Sequence, residues 1–312
     1  MGAVKQQTNV TNVGKLPPLG LGLDAGGTKT RWALSRADGV LVADGFVAGL
    51  TALQLGTTDG RAHIHAAMTD LANQVLAFGI PTGVCAGVTG LDTRDEQLCR
   101  SIAMPLGIDT EVVTVHSDIE IVYRDLFAPG EGYVVYAGTG SIAAFIDANG
   151  EFHRAGGRGV YLDDAGGGFW MAREGLRHIW RREDEAPGSW RQSPLAVALF
   201  AKMGGSDWAI SRQFFYSRER GEIGQLAMAV AATVESDPVS KQIVCAAGDE
   251  LARLANAMLH RFGVRPIILV GGAAQLHPLI EARMRAGIDH KISLTSRVAE
   301  AHIAASRIAA RF

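Results

Sequence analysis

The sequence predicts an α/β protein made of two halves that share one arrangement of strands. Two segments lead to this prediction, and each has an apolar run, a glycine and threonine turn, a second run and a tight turn. They are LGLDAGGTKTRWALSRADG at 21–39 and GYVVYAGTGSIAAFIDANG at 132–150. In each segment the last glycine stands eleven positions after the threonine, Gly39 after Thr28 and Gly150 after Thr139.

The tight turn that closes each segment is a strong β-hairpin signal. Asp38-Gly39 and Asn149-Gly150 both follow apolar runs. Asp-Gly and Asn-Gly pairs favour a type I′ turn, in which both central residues have a positive φ. The sequence therefore predicts one such hairpin in each half.

Periodicity and turn residues predict the other elements in order. In the first half we expect strands at 40–49, 82–90 and 111–118, and helices between them at 58–78 and 93–104. A helix at 119–127 leads into the second half. There, three strands extend to about residue 154, and a glycine-dense loop at 156–170 enters a helix that ends near Arg182.

The end of the chain is expected to be mostly helical. The polar segment 181–194 contains two prolines, so we expect an exposed loop there. Helices are expected across 195–262, with breaks at Gly204-Gly205 and Asp237-Pro238. A strand at 265–275, a helix from Pro278 and a last helix at 298–311 follow. We expect two domains, 18–117 and 118–297, after a flexible leader at 1–17, with 298–312 packed back on the first domain.

The composition is that of an ordinary globular protein. The 312 residues are 47% hydrophobic and 20% charged, with a net charge of −2. Such a charge argues against nucleic acid or an anionic membrane as the main partner. No apolar run reaches the roughly 18–20 residues that span a bilayer. The three cysteines lack metal-site spacing and are odd in number, which indicates reduced thiols and a cytoplasmic protein.

The two glycine turns are the candidate phosphate sites. Glycine lets backbone N–H groups come close to an anion, so two turns facing each other could hold the phosphates of one nucleotide. The candidate phosphate-binding residues are Gly26, Gly27, Thr28, Lys29, Gly138, Thr139, Gly140 and Ser141. Asp24 would then face the magnesium ion of MgATP, usually through water. For either turn alone, a tight hairpin with a turn-capping residue is the alternative.

Three further positions are candidates for chemistry. Gly271, Gly272 and Ala273 follow the strand IILV and would form a flat platform for an adenosine, or an ordinary strand–helix turn. Asp118 ends a strand and is ionised at neutral pH, so it could accept the proton of an attacking hydroxyl. It also follows Ser117 in a capping box with Glu120, which favours an acid there for the helix alone.

The glycine-dense loop contains the third candidate. Asp164 would hydrogen-bond a polar substrate held near Gly157, and the alternative is an acid that begins the next helix. So many glycines cost backbone entropy, which makes a simple helix cap a poor explanation.

Together these motifs resemble the actin-like ATPase and sugar-kinase superfamily, and within it the N-acetylglucosamine kinase group of the BadF/BadG/BcrA/BcrD ATPase family. LGLDAGGTKT resembles the first phosphate motif, VVYAGTGS the second and LVGGAAQ the adenosine motif, while GGRGVYLDDAGGGFW is similar to the substrate loop. The resemblance implies a duplicated, ribonuclease H-like core of mixed sheets with flanking helices. It also implies ATP and Mg²⁺ as cofactors, and phosphorylation of an amino sugar, usually on its 6-hydroxyl. Asp118 matches the general base and Asp164 a sugar ligand.

The chain departs from the group's pattern on the sugar side. Asp163-Asp164-Ala165-Gly166 stands where the kinases usually have Gly-Asp-Glu-Gly, and Thr51 and Gln54 stand where relatives offer an asparagine to the sugar. The use of ATP is therefore better supported than the identity of the sugar. A glucosamine kinase is one alternative.

Other members of the superfamily give three more alternatives. The first is an ATP-driven redox activator of the BadF type, but none of the three cysteines is placed for an iron–sulfur cluster. The second is a sugar-sensing repressor, but no helix-turn-helix pattern is found before Leu19. The third is a glucokinase of the related repressor and kinase family, but its cysteine-rich zinc motif is absent here. A homodimer is expected from the resemblance alone.

Overall fold

Two five-stranded mixed sheets form the framework of the protein. The structure is a computed structural model that describes residues 18–91 and 93–312, so the predicted leader at 1–17 lies outside the described residues. The first sheet has the order β3-β2-β1-β4-β5. Its strands are β1 (Leu19–Ala25), β2 (Lys29–Arg36), β3 (Leu41–Ala48), β4 (Gly83–Val88) and β5 (Val113–Ser117).

The second sheet repeats this arrangement. Its order is β10-β9-β6-β7-β8, with β6 (Tyr133–Ala137), β7 (Ser141–Ile146), β8 (Phe152–Gly156), β9 (Ile267–Val270) and β10 (Leu294–Ser296). In both sheets three antiparallel strands are followed by two strands parallel to the first of them. The predicted duplicated α/β fold is therefore confirmed.

Helices flank both sheets. They are α1 (Thr58–Val75), α2 (Glu96–Leu106), α3 (Asp118–Leu126), α4 (Gly168–Glu185), α5 (Pro194–Met203), α6 (Trp208–Ser217), α7 (Arg220–Gly224), α8 (Ala227–Ala232), α9 (Pro238–Phe262), α10 (Pro278–Ala286) and α11 (Ala301–Ala309). The predicted breaks are confirmed, since Gly204 ends α5 with a left-handed φ of 89° and Asp237 caps α9. Within the described ranges, no helix is both long and apolar enough to cross a membrane.

In the second half one predicted element is wrong and one strand was not predicted. The expected loop at 181–194 is partly helical, because α4 continues to Glu185 and a 3₁₀ helix spans Ser189–Gln192. The Glu183 carboxylate fixes the turn between them by accepting the Gly188 and Trp190 N–H groups, both at 2.7 Å. Strand β10 was not predicted, since three residues are too few for a periodic pattern.

Both hairpins form, but their turns are not of type I′. Gly39 and Gly150 have φ values of 83° and 84°, whereas Asp164 is the sole non-glycine residue with a positive φ in the described chain. Gly39 N–H donates to Arg36 O at 2.9 Å, which is a type I turn followed by a left-handed glycine. The aspartate keeps a negative φ because its Oδ1 accepts the Val40 N–H at 3.0 Å.

A stripe of glycines lets two helices lie directly on the first sheet. A Cβ at Gly20 or Gly22 would overlap the backbone of α11. A Cβ at Gly87 would lie 2.9 Å from the Ile121 side chain of α3. Side chains alternate along a strand, so Asp24 lies on this same face of β1, beyond Gly22. The opposite face belongs to the apolar core that β1 forms with α1 and α2. Asp24 therefore lies at the end of the face that α11 and α3 cover.

Candidate functional site

The first glycine turn connects β1 and β2. Gly26 N–H donates to Lys29 O at 3.2 Å, and Gly27 and Thr28 are exposed. Gly49, just after β3, supports the turn from behind, because a Cβ there would overlap the backbone of Gly27 and Thr28. The sequence gave no reason to single out Gly49, since its role depends on this close backbone approach. The shape of the first turn is thus fixed by the backbone that follows β3.

Lys29 lies on the outer side of that turn. Its Nζ is 3.7 Å from the centroid of the Phe46 ring, an arrangement in which the ring attracts the ammonium group. Lys29 lines a surface pocket of about 680 Å³ together with Phe46, Asp70 and Gln74. The ammonium group of Lys29 therefore lies on the surface of the first sheet, against a side chain of β3.

The second glycine turn connects β6 and β7. Gly138 N–H donates to Gly140 O at 2.9 Å. The Ser141 hydroxyl is buried and donates to Ala165 O at 2.6 Å, so it joins the turn to the glycine-dense loop. Gly167 also packs on the turn, where a Cβ would lie 2.7 Å from Thr139 O. Ser141 therefore supports the turn, while Thr139 stays partly exposed.

The two turns meet at helix α7. A Cβ built on Gly221 would lie 2.8 Å from Thr28 Oγ1 and 4.0 Å from Thr139 Oγ1. Gly224 packs on the second turn, since its Cβ would be 3.4 Å from Thr139 Cγ2. The threonine hydroxyls of both halves therefore lie close to Gly221, and a side chain at this position would displace Thr28.

Two carboxylates lie near each other, Asp24 at the end of β1 and Asp118 at the start of α3. Burial raises the pKa of Asp24 to about 6, and the charge of Asp118 adds to this increase while Arg31 opposes it. Asp118 is oriented by two hydrogen bonds, from Thr89 Oγ1 to Oδ2 at 2.6 Å and from Ile119 N to Oδ1 at 2.8 Å. The pair forms a half-buried acidic centre at the end of β1 and the start of α3.

The same centre includes a tyrosine from the second half. Burial raises the pKa of Tyr136 to about 12, and the charges of Asp118 and Asp24 raise it further. Its hydroxyl would lie 2.7 Å from a Cβ at Gly138, so the phenol folds back under the second turn. The predicted capping box of Ser117 and Glu120 is also present beside Asp118.

The segment that holds Thr51 and Gln54 lies next to this acidic centre. Ala52 N–H donates to Thr89 O at 3.0 Å, and the Thr89 hydroxyl donates to Asp118. Gln54 Oε1 accepts the Thr51 N–H at 2.8 Å and so caps a 3₁₀ helix at Ala52–Gly56. A Cβ at Gly27 would lie 3.6 Å from Thr51 Cγ2, so Thr51 also touches the first turn.

Asp164 holds the glycine-dense loop against the second turn. It is buried, with a φ of 52°, and its Oδ1 accepts the Gly159 N–H at 3.0 Å. Burial raises the pKa of Asp164, and the charge of Arg220 lowers it. A Cβ at Gly140 would overlap the Asp164 carboxylate. Gly157, with a φ of 62°, donates its N–H to Ser141 O at 2.9 Å. The contacts of Asp164 thus join it to the second turn.

The turn after β9 packs on the end of β6. Ala273 N–H donates to Ala137 O at 2.9 Å, and Gly271 has a φ of 106° that few other residues adopt. A Cβ at Gly272 would meet no atom within 4 Å, so this glycine borders open space. The turn therefore combines a close backbone contact with an open flat surface.

This geometry, two glycine turns on duplicated sheets beside two carboxylates, agrees with a family comparison. The model of the BadF/BadG/BcrA/BcrD ATPase family matches residues 21–306. The chain belongs to this ATPase family. The predicted resemblance is confirmed, and the matched range contains both turns, Asp118 and the turn at Gly271.

Two curated relatives are sugar kinases by name. The chain is 25% identical over 254 residues to the N-acetylmuramic acid/N-acetylglucosamine kinase of Clostridium acetobutylicum, covering 77% of this chain and 78% of the relative. It is 24% identical over 277 residues to the N-acetyl-D-glucosamine kinase of Dictyostelium discoideum, covering 81% and 84%.

Solved structures share the fold. A proposed N-acetylglucosamine kinase from Porphyromonas gingivalis superposes with a TM-score of 0.73 at 17% identity, over 93% of this chain and 98% of the other. A proposed N-acetylglucosamine kinase from Chromobacterium violaceum gives 0.68 at 20% identity, over 92% and 98%. At these identities the superpositions support the two-sheet ATPase fold.

Several residues of this site were not predicted from the sequence. Tyr136 belongs to the motif VVYAGTGS, and Thr89 follows a buried strand, so both stood beside recognised signals. Arg31 pairs with Asp24 across β1 and β2, a neighbour that a hairpin register could have identified. Gly221 had no local signal, because α7 reaches the turns only through tertiary packing.

Proposed function

We propose that the protein is an ATP-dependent amino-sugar kinase that converts N-acetylglucosamine to its 6-phosphate. The observation behind this proposal is the approach of Thr28 and Thr139, from the turns of the two duplicated halves, to one point above Gly221. A pair of carboxylates lies beside the first turn, Asp24 in the first domain and Asp118 at the boundary with the second. Two anion-binding turns next to ionisable carboxylates suit phosphoryl transfer, which depends on positioning and charge neutralisation.

The nucleotide would lie between the two halves. Backbone N–H groups of the turns would bind its phosphates, and the surface at Gly271, Gly272 and Ala273 would bind its adenosine. In this proposal the domains are 18–117 with 298–312, and 118–297. Support for the return of the last segment is the packing of α11 on Gly20 and Gly22.

Magnesium fits the acidic centre. Burial and the charge of Asp118 raise the pKa of Asp24, so a divalent cation beside this carboxylate would stabilise its ionised form. Asp24 would hold the ion beside the phosphates, directly or through water, which leaves Asp118 to accept a proton. Bound Mg²⁺ would neutralise charge on the β- and γ-phosphates.

Asp118 is the proposed general base. The proton of the sugar hydroxyl moves to Asp118, the hydroxyl oxygen forms the new bond to the γ-phosphorus, and ADP leaves. The hydrogen bonds from Thr89 and the Ile119 N–H support this role, because they fix the direction of the carboxylate. A positioned base of this kind contributes roughly 10²–10⁴-fold to a rate.

The acceptor would bind beside this base. Thr51 and Gln54 are proposed sugar contacts because their segment is hydrogen-bonded to Thr89. Gly157 and Asp164 are the proposed sugar contacts from the second half. The names of the two curated relatives favour an N-acetylated amino sugar as the acceptor. A homodimer stays a prediction.

A coupled assay of ADP release tests this proposal. MgATP is supplied with N-acetylglucosamine, N-acetylmuramic acid, glucosamine, N-acetylmannosamine, glucose or no sugar. We expect release above the no-sugar rate with N-acetylglucosamine. Release with glucosamine alone would change the substrate and keep the reaction, whereas equal slow release in all wells would contradict a sugar kinase.

A further inference from the structure

Arg220 has no role in the reaction proposed above, although its side chain is partly buried near the proposed site. It is half-buried at the start of α7, and among the described residues its guanidinium forms no hydrogen bond and no ion pair. Its neighbour Arg218 differs, because it is exposed and forms an ion pair with Glu222 at 3.1 Å. A partly buried guanidinium that donates no hydrogen bond costs free energy, so Arg220 is expected to donate to an anion that binds from outside.

The position of α7 indicates where that anion lies. Arg220 directly precedes Gly221, which borders the hydroxyls of Thr28 and Thr139. Its charge also lowers the pKa of Asp164, the residue packed against Gly140 of the second turn. These observations indicate that the guanidinium lies near the second phosphate turn, next to the residue of α7 that meets both turns.

The turns otherwise have few cations available. Lys29, the basic residue at the first turn, has its ammonium group over the Phe46 ring, and Arg31 of β2 acts on Asp24. ATP has several negative charges on its phosphate chain, and backbone N–H groups supply only partial positive charge. Arginine suits this task because its planar guanidinium can donate two parallel hydrogen bonds to one phosphate.

We propose that Arg220 binds the phosphate chain of the nucleotide and that α7 forms a third wall of the phosphate site, beside the two turns. Gly221 lets α7 come this close to the first turn, since a Cβ there would lie only 2.8 Å from Thr28 Oγ1. The inference rests on the nucleotide site of the proposed function and is independent of which sugar accepts the phosphoryl group.

Calorimetric titration of ADP and AMP in Mg²⁺ tests the proposal without any sugar. Arg220→Gln is compared with Arg218→Gln, a matched control that removes the same charge two residues earlier, and with Arg220→Lys. We expect Arg220→Gln to weaken ADP binding at least about 10-fold, equivalent to roughly 1.4 kcal/mol. Arg220→Lys should recover part of the affinity. AMP, which lacks most of the chain, should bind all three variants nearly as it binds the wild type.

The outcomes separate this inference from the proposed function. ADP binding of Arg220→Gln within twofold of the wild type would overturn the inference, even if the protein phosphorylates amino sugars. Equal weakening by Arg218→Gln would also overturn it, since a general charge effect would then explain the loss. Selective loss of ADP affinity in a protein that phosphorylates no sugar would support the inference and contradict the proposed function. Thermal melting of each variant confirms that it is folded.

Discussion

The two halves of the molecule place different side chains at corresponding positions of the same sheet. Asp24 and Tyr136 each stand one residue before the alanine that ends the central strand, Ala25 in β1 and Ala137 in β6. Both strands then enter a glycine turn, and both side chains respond to the charge of Asp118. One half thus contributes a carboxylate and the other a neutral phenol to a single centre.

This difference shows how a duplicated fold becomes asymmetric. The backbone turns are alike in both halves, which suits the binding of a phosphate chain from two sides. Two carboxylates at equivalent positions would add a third negative charge beside Asp118. With a pKa of about 12, Tyr136 stays neutral at physiological pH. The two equivalent strand ends therefore differ in charge, with an ionisable carboxylate in β1 and a neutral phenol in β6.

The largest expected effect is that of Asp118→Asn. An amide keeps the shape of the carboxylate but cannot take a proton, so kcat should fall roughly 10³-fold. ADP binding should stay within a few-fold of the wild type, because the turns are unchanged. Coupled ADP release and calorimetry measure the two quantities. A kcat loss below tenfold would remove Asp118 from the role of base.

Asp24→Asn should lower kcat by about 10²-fold and raise the stability of the metal-free protein. Folding raises the pKa of Asp24 to about 6. The folded state therefore binds more protons than the unfolded state between about pH 4 and 6, and stability falls as pH rises through this range. At pH 7.5 the ionised carboxylate destabilises the fold, by on the order of 1–2 kcal/mol after allowance for partial exposure.

The check on this prediction is a series of denaturant titrations at pH 5 and 7.5, with and without Mg²⁺. The wild type without metal should be more stable at pH 5 than at 7.5, relative to Asp24→Asn. Mg²⁺ should recover much of that difference in the wild type alone. A variant with the same pH dependence as the wild type would show that Asp24 is not the titrating group.

Gly49→Ala tests whether the first turn must keep its shape. The new Cβ would overlap the backbone at Gly27 and Thr28, so the turn has to move. We expect KM for ATP to rise about tenfold, with a smaller change in KM for the sugar. Gly56→Ala is the control, since a Cβ at Gly56 meets no atom within 4 Å. Equal effects of the two substitutions would contradict the steric account.

Tyr136→Phe should have the smallest effect, a change in kcat of less than about fivefold. The phenol is neutral in the assay range, so its removal alters hydrogen bonding near Asp118 but not the charge. The pH profile of kcat from 6 to 9 should keep its shape. A profile that moves by a full pH unit would mean that the two halves share the acid–base chemistry after all.

The sequence was sufficient for the duplicated framework, because hairpins and alternating elements are local patterns. Its failures have identifiable causes. The type I′ turn was wrong because the Asp38 side chain hydrogen-bonds its own loop, a competition that the Asp-Gly pair does not reveal. Strand β10 was missed because it has only three residues and forms by pairing with β9.

The sequence predicted the residues of the site that stand in local motifs. It did not predict those whose position depends on contacts between distant parts of the chain. Asp24, both turns and Asp118 stand at strand ends and were singled out by that position. Tyr136 and Gly221 were not, since each acts through neighbours that are distant in sequence. The Lys29 position shows the same limit, because the Phe46 ring that holds its ammonium group lies on another strand.

The most direct test of the account is identification of the product. N-acetylglucosamine and MgATP are incubated with the wild-type protein and with Asp118→Asn, and phosphorus NMR follows the reaction. The account predicts a phosphate ester on the 6-oxygen and an equal amount of ADP with the wild type, and almost none with the variant. Inorganic phosphate with unmodified sugar would contradict it, because the two turns and the acidic centre would then hydrolyse ATP without transferring its phosphoryl group.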